Sequence, residues 1–300
     1  MKGGDRMDIG IIGAGAVGLL FAGYLGKRHD VTVYARRNEQ REHLEARGVT
    51  VWREGSKEQT DVGAKSISSL DSQHDLVILA VKGYDLDESL FITVPTETPL
   101  LFLQNGIGHL DFLKTLPHDT VMAASVEHGA LKENDYTVLH KGVGVTKIAL
   151  VRGMHGPLQC LMKDGDEAFP FEEEEDYETM LLRKLFINAA INPLTAITGC
   201  VNGEMRSNPH YNALIREVYG ELLHLYPHME TVISLEDIES ICFNTAQNRS
   251  SMLSDVENGR KTEVESILGE IIRMASPLDI PVIHTLYLLV KGKESAGRQT

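Results

Sequence analysis

The chain has 300 residues, 42% of them hydrophobic and 24% charged, an ordinary balance for a soluble globular protein and enough length for about two domains. A net charge of −14 with no basic run to offset it argues against a nucleic-acid partner, and no apolar run approaches the roughly 18 residues that span a bilayer. Cys160, Cys200 and Cys242 stand at no metal or redox spacing, so the expectation is a cytoplasmic protein without a secretory leader, a membrane span or a metal centre.

MDIGII at residues 7–12 predicts a first strand and Val17 to Lys27 a helix. VTVYA (31–35), DLVILAV (75–81), PLLFLQ (99–104) and TVMAAS (120–125) are further strands. Continuous apolar strands separated by crossover segments indicate a parallel sheet covered on both faces. Residues 136–150, YTVLHKGVGVTKIAL, read as an antiparallel hairpin appended to that sheet. The acidic run from Glu172 to Asp176 reads as a solvated linker, and beyond it the patterns are long and helical. The expected fold class is an α/β N-terminal domain, residues 1–172, with a Rossmann-type doubly wound parallel sheet. An all-α C-terminal domain, residues 173–300, follows it.

GAGAVG, residues 13–18, lies between the first strand and the first helix. There Gly13 permits the tight turn, Gly15 lets the backbone approach a pyrophosphate, and Gly18 lets the helix lie close to the sheet. Ala14, Ala16 and Val17 complete the loop, and the helix N-terminus offers unpaired N–H groups to phosphates. An NAD binder would carry Asp or Glu at the end of the second strand. Here VTVYA is followed by Arg36 and Arg37. A guanidinium can grip a 2′-phosphate with charge-assisted bonds worth roughly 1.5–3 kcal/mol, which points to NADP(H). The competing reading is of two surface arginines that open a helix. Lys82 follows DLVILAV, and Asn105 with Gly106 follows PLLFLQ. Ligands of open parallel sheets bind beyond the carboxyl ends of the strands, so the glycine loop, Arg36, Lys82 and Asn105 are expected to share one rim.

In the second half, RKLFINAAINP at 183–193 places Lys184, Asn188 and Asn192 in one row at helical spacing. Ile187 and Ile191 border the row on one side, Leu181 and Leu185 on the other. Burying an ammonium among aliphatics is costly unless the charge is paired or used. Facing a cofactor, such a lysine can protonate a carbonyl oxygen as hydride arrives at its carbon. The plainer reading is an ordinary helix with a snorkelling lysine, and Pro193 supports it by predicting a kink or break. Farther on, Gly259 breaks a helical pattern, and Thr262 with Glu265 reads as a capping box. Glu263 then falls in a first turn, which by itself is commonplace, and Ser250 and Ser251 are unremarkable in isolation.

Together these segments resemble the ketopantoate reductase (2-dehydropantoate 2-reductase) family over nearly the whole chain. KLFINAAINPLTAITGCVNGE at 184–204 is similar to the family's K-x-x-x-N-x-x-x-N-P-L-T-A run and the N-G-E beyond it. QNGIG at 104–108 resembles its N-G-x-G loop, and SSML at 250–253 and TE at 262–263 resemble two later signatures. The resemblance implies an NADP-dependent oxidoreductase that reduces ketopantoate to pantoate with NADPH, for pantothenate and coenzyme A synthesis. It implies Lys184 as the proton donor to the ketone oxygen, and Asn188, Asn192 and Asn202 as substrate contacts. Ser251 would bind the substrate carboxylate, and Glu263 would lie near substrate and nicotinamide ribose. On the cofactor side it implies Gly13 to Gly18, Arg36, Lys82, Asn105 and a backbone contact at Ala130. The chain departs from one common pattern at Gln104, where some members have His, and at Gly129, where others have Ala.

A site divided between two domains implies hinge closure on binding. A reductase of another small 2-keto acid stays open, because methyl-sized contacts of about 1–3 kcal/mol set the substrate range. A protein that senses NADPH without turnover also stays open. No exposed apolar seam or heptad is evident, which leaves monomer and homodimer both open.

Overall fold

The computed structural model describes residues 6–70, 73–90 and 92–297. It divides into two compact units, one running to Gln104 and including Leu110–Met180, the other comprising Asn105–His109 and the chain from Leu181 onward. The strands of the first unit are β1 (Asp8–Ile12), β2 (Asp30–Ala35), β3 (Val49–Arg53), β4 (Ser56–Thr60), β5 (Gly63–Ser66), β6 (Leu76–Leu79), β7 (Leu100–Phe102), β8 (Val121–Val126), β9 (Gly129–Lys132), β10 (Thr137–Gly142), β11 (Thr146–Arg152) and β12 (Phe171–Glu174). Its helices are α1 (Ala16–Leu25), α2 (Asn38–Arg47), α3 (Leu110–Thr115) and α4 (Gly156–Asp164).

Eight strands form the main sheet in the order β12-β11-β8-β7-β6-β1-β2-β5. Every neighbouring pair is parallel except β11 against β8. Strands β6, β7 and β8 are buried at every residue, as continuous apolar runs require. A second sheet, β4-β3-β10-β9, lies across α1 from the first. That placement explains why α1, AVGLLFAGYL, is apolar all round: it has sheet on both sides. At Gly23 an added Cβ would stand 2.4 Å from Val51 Cγ2, so the glycine sets how closely the helix meets the second sheet.

Residues 136–150 are not the expected hairpin. Strand β10 joins the small sheet, parallel to β3 and antiparallel to β9, whereas β11 pairs with β8 in the large one. The chain changes sheets at Gly144, where a Cβ would lie 2.4 Å from the Glu127 carbonyl oxygen. Nor is the acidic run a solvated linker. Phe171–Glu174 is an edge strand, with Lys147 Nζ at 2.5 Å from Glu174 and 3.6 Å from Glu172. Outward charge on an edge strand discourages pairing with another sheet, and it also hides the strand from a reading based on apolar alternation. Asp176 then accepts the Glu178 N–H at 3.0 Å to start the next helix. The expected domain boundary near residue 172 falls within β12, while the compact units divide between Met180 and Leu181.

The second unit is helical: α5 (Tyr177–Thr198), most of which lies in it, α6 (Asn202–Ser207), α7 (Pro209–Leu225), α8 (Leu235–Asn244), α9 (Ser251–Glu257), α10 (Glu270–Met274) and α11 (Pro281–Gly297). A π-helical turn, Glu265–Gly269, runs directly into α10. Helix α8 starts on a capping box, Ser234 with Asp237, and α11 starts with the Val282 and Ile283 N–H groups on the Glu221 carboxylate at 2.7 and 2.9 Å. Pro193 does not end α5, which continues to Thr198. Ala190, Ile191, Leu194 and Ala196 around it are almost completely buried, and that packing outweighs a local cost of about 3 kcal/mol. No helix among the described residues is long and apolar enough to cross a membrane, and none of their His, Cys, Asp and Glu side chains cluster as a metal site would.

His109 is buried, its Nε2 has no hydrogen-bond partner among the described residues, and burial pushes its pKa down to about 4. An unfolded chain takes up this proton near pH 6.5, so stability is complete above that pH and falls as the pH drops towards 4. Over that window the loss from this residue is on the order of 3 kcal/mol. Urea unfolding at pH 7 and pH 4.5 should therefore show a smaller loss for His109→Leu than for the wild type; equal losses would deny His109 this role.

Candidate active site

The glycine loop begins where β1 ends. Gly13 takes φ +109°, and its N–H donates to the Tyr34 carbonyl at 3.0 Å. A Cβ there would lie 2.9 Å from the backbone at Ala80 and Val81, and one at Gly18 would lie 1.9 Å from the Gly13 oxygen. The chain itself therefore forbids side chains at both positions. Gly15 differs: its backbone is extended, with φ −81° and ψ −173°, and an added Cβ would meet nothing within 4 Å. Packing does not demand that glycine. The first turn of α1 also has no side-chain cap and no acidic residue. Open space over Gly15 beside uncapped N–H groups fits a dinucleotide pyrophosphate.

Two residues that carry no motif hold this loop. Gln40 Nε2 and Lys132 Nζ both donate to the Ala14 carbonyl, at 2.9 and 3.2 Å. In a trans peptide C=O and N–H point in opposite directions, so these bonds turn the Gly15 N–H away from Gln40 and Lys132. Burial lowers the Lys132 pKa, against the pull of the Asp135 carboxylate. Lys132 is two residues beyond Ala130 on β9, so the same strand carries that expected cofactor contact. Only burial singles out Gln40 within the polar helix NEQREHLEAR, and burial is not written in the local pattern.

Arg36 follows β2 directly and is well exposed, with Nη2 3.1 Å from Asp85 Oδ1. Asp85 closes a single 3-10 turn whose N-cap is Lys82, and its N–H donates to the Lys82 carbonyl at 2.9 Å. Arg36 and the Lys82 turn are thus neighbours. Arg37 is the N-cap residue of α2 and is ion-paired with Asp135, a structural placement. Asn105, expected on the rim with these residues, is grouped with the helical unit, where its Nδ2 donates to Glu263 Oε2 at 3.0 Å.

Along α5, Lys184 and Asn188 are half-buried and Asn192 is buried. Of the four aliphatics expected beside them, Leu181, Leu185 and Ile191 are almost completely buried and Ile187 is half-buried, so the polar row lies in an apolar wall that is open at Ile187. One turn beyond Asn192, Thr195 Oγ1 lies 2.7 Å from Ser250 Oγ. Ser250 caps α9 by accepting the Leu253 N–H at 3.0 Å, and the exposed Ser251 is the first residue of that helix. The Thr195–Ser250 bond thereby brings the start of α9 to the end of the α5 row. Asn202, at the start of α6, is tied to the segment before Ser250 through Asn248 (backbone, 2.9 Å) and Thr245 (side chain, 2.9 Å). Its buried Oδ1 has no partner among the described residues. Glu263 is buried, and the expected capping box around it does not form. Thr262 bonds Val264 N at 3.2 Å, whereas Glu265 turns to Lys291 and Tyr287 at 3.0 and 2.9 Å, because the helix starts with a π turn rather than a regular one.

Comparison with known proteins identifies the family and the fold. The family described as "Ketopantoate reductase PanE/ApbA" matches residues 9–153, and "Ketopantoate reductase PanE/ApbA C terminal" matches residues 176–294. The 2-dehydropantoate 2-reductase of Bacillus subtilis (strain 168) is 37% identical over 287 residues, covering 94% of this chain and 95% of the relative. That of Listeria innocua serovar 6a is 36% identical over 298 residues, covering 97% and 98%. Among solved structures, the probable 2-dehydropantoate 2-reductase from B. subtilis superimposes with a TM-score of 0.83 at 36% identity, over 96% of this chain and 100% of that one. A D-mandelate dehydrogenase with NADH and anilino(oxo)acetate has a TM-score of 0.87 at 21% identity over 97% and 100%, and shares the fold alone.

The glycines of the loop should separate in mutants. Gly15→Ala should leave the melting temperature nearly unchanged yet weaken binding of a nicotinamide dinucleotide at least about tenfold, or about 1.4 kcal/mol. Gly18→Ala should lower the melting temperature first. Calorimetric titration beside thermal melts distinguishes them, and unaltered dinucleotide binding in Gly15→Ala would refute this assignment of the loop.

Proposed function

This chain belongs to the ketopantoate reductase family, and on that premise we propose that it reduces ketopantoate (2-dehydropantoate) to pantoate with NADPH. The observation that carries the reading is the row on α5: a lysine and two asparagines at helical spacing, half-buried to buried, between aliphatics that are buried except for the half-buried Ile187. Nothing in helix packing calls for that set of side chains, whereas reduction of a hydroxylated keto acid does. For the cofactor, Arg36 stands where an NAD binder keeps a carboxylate, and its guanidinium suits a 2′-phosphate that can displace Asp85.

When bound, the dinucleotide supplies a hydride to the carbonyl carbon of the substrate. Lys184 gives the ketone oxygen a proton, so hydride and proton together convert ketone to alcohol and no free alkoxide accumulates. Proton donation of this kind contributes typically 10²–10⁴-fold. Apolar flanks on α5 lower the local dielectric and strengthen the attraction between ammonium and developing oxyanion. The amine is then reprotonated from water. Asn188 and Asn192 hold substrate oxygens by hydrogen bonds that add no charge. Ser251 donates its hydroxyl to the substrate carboxylate, and Asn202 offers a donor its Oδ1, which has no partner among the described residues. Glu263, fixed by Asn105, accepts from the substrate hydroxyl.

The test is consumption of NADPH absorbance on addition of ketopantoate. Lys184→Ala should lower turnover at least about a hundredfold while leaving NADPH affinity nearly intact, and near-normal turnover would remove the lysine from the mechanism. In titrations the wild type should bind NADPH more tightly than NADH, and Arg36→Ala should narrow the gap; equal wild-type affinities would reject the 2′-phosphate assignment.

A further inference from the structure

Glu294, near the end of α11, is a carboxylate with only 4% of its side chain exposed. A buried charge persists only where hydrogen bonds and counter-charges compensate it. Here Oε1 accepts two bonds from one residue, the N–H and the hydroxyl of Thr262, each at 2.7 Å. The other oxygen lies 3.2 Å from Lys291 Nζ, one turn back along α11. Burial alone would raise the Glu294 pKa, yet the bonds from Thr262 and Lys291 hold it below the usual carboxylate value. A fully buried Thr262 and an ionised Glu294 thus form a clamp between α11 and the segment that leads into the π turn.

The residue after Thr262 is Glu263. The amide N–H of Thr262 is fixed by Glu294, and that of Val264 by Thr262 Oγ1 at 3.2 Å, so the amides before and after Glu263 are both held. The π turn that follows has no side-chain cap of its own, so the clamp takes the place of one. Glu263 is also gripped at its carboxylate by Asn105 at 3.0 Å. On the reading that Glu263 binds the substrate hydroxyl, we propose that Glu294 is a positioning residue, acting through Thr262 to aim Glu263. It touches neither substrate nor cofactor in this scheme.

The experiment is a double-mutant cycle in the full-length chain, with Glu294→Ala, Glu263→Ala and the pair assayed with NADPH and ketopantoate. Glu294→Ala should raise the KM for ketopantoate about tenfold, with a smaller change in kcat and unchanged NADPH affinity. In the Glu263→Ala background the same change should add almost nothing, because its route of action is gone. Glu294→Gln should approach the wild type, since its carbonyl oxygen can still accept both Thr262 bonds. Equal KM effects in the two backgrounds, or a Gln variant as impaired as Ala, would overturn the proposal. Should Glu294→Ala fold poorly, Thr262→Val removes the hydroxyl from the same clamp and should raise KM in the same way; a normal KM there would also overturn it. Amide hydrogen exchange gives a readout independent of turnover: exchange at Thr262 and Val264 should quicken selectively in Glu294→Ala, and unchanged rates would count against the clamp. Wild-type inactivity towards ketopantoate would refute the functional reading, whereas the exchange rates bear on the Glu294 clamp alone.

Discussion

The approach of α1 to the end of β1 sets the geometry of the sheet unit. Without a Cβ at Gly18 the helix can rest on the Gly13 carbonyl, and with φ +109° at Gly13 the chain can fold under it. That contact leaves the first N–H groups of α1, the extended backbone at Gly15 and the open space above it for a dinucleotide, while Gln40 and Lys132 fix the Ala14–Gly15 peptide. The price of such close packing is a helix with no polar face, and the second sheet removes it from water by covering the side that the first sheet leaves open.

In the helical unit the corresponding constraint is satisfaction of buried polar groups. Thr195 meets Ser250, Asn202 meets Thr245, Glu263 meets Asn105, and Thr262 meets Glu294. Each bond joins segments far apart in sequence, and each contains or adjoins a residue of the proposed site. A polar group left unpaired in such surroundings costs about 1–3 kcal/mol, so the pairs fix their helices in register more sharply than aliphatic contact would. Two atoms of this unit depart from that rule among the described residues, His109 Nε2 and Asn202 Oδ1, and the second is at a position proposed to meet substrate.

The readings that the structure corrected share a cause. β12 looked like a linker because edge strands carry charge outward. The segment 136–150 looked like a hairpin because two strands joined by a glycine-rich turn have the same local pattern whether they pair with each other or part into separate sheets. Thr262 and Glu265 had capping-box spacing, but a carboxylate on α11 took the threonine and a lysine there took the glutamate. Pro193 was a local breaker overruled by the packing around it. In each case a distant partner decided between conformations that neighbouring residues leave nearly equal.

What the sequence alone determined was whatever depends on periodicity and steric demand: the parallel strands, the glycine loop, the polar row of α5 and the basic residue after β2. These are properties of a few consecutive residues, and their physics is complete within a turn or a strand. Tertiary structure decided which carboxylate each arginine meets, Asp85 for Arg36 and Asp135 for Arg37, which peptide Gln40 and Lys132 hold, and how Asn105 and Glu294 meet the residues around Glu263. Hydrogen bonds and ion pairs across such separations depend on where the chain returns in space, and that is set by the packing of whole elements rather than by any local pattern.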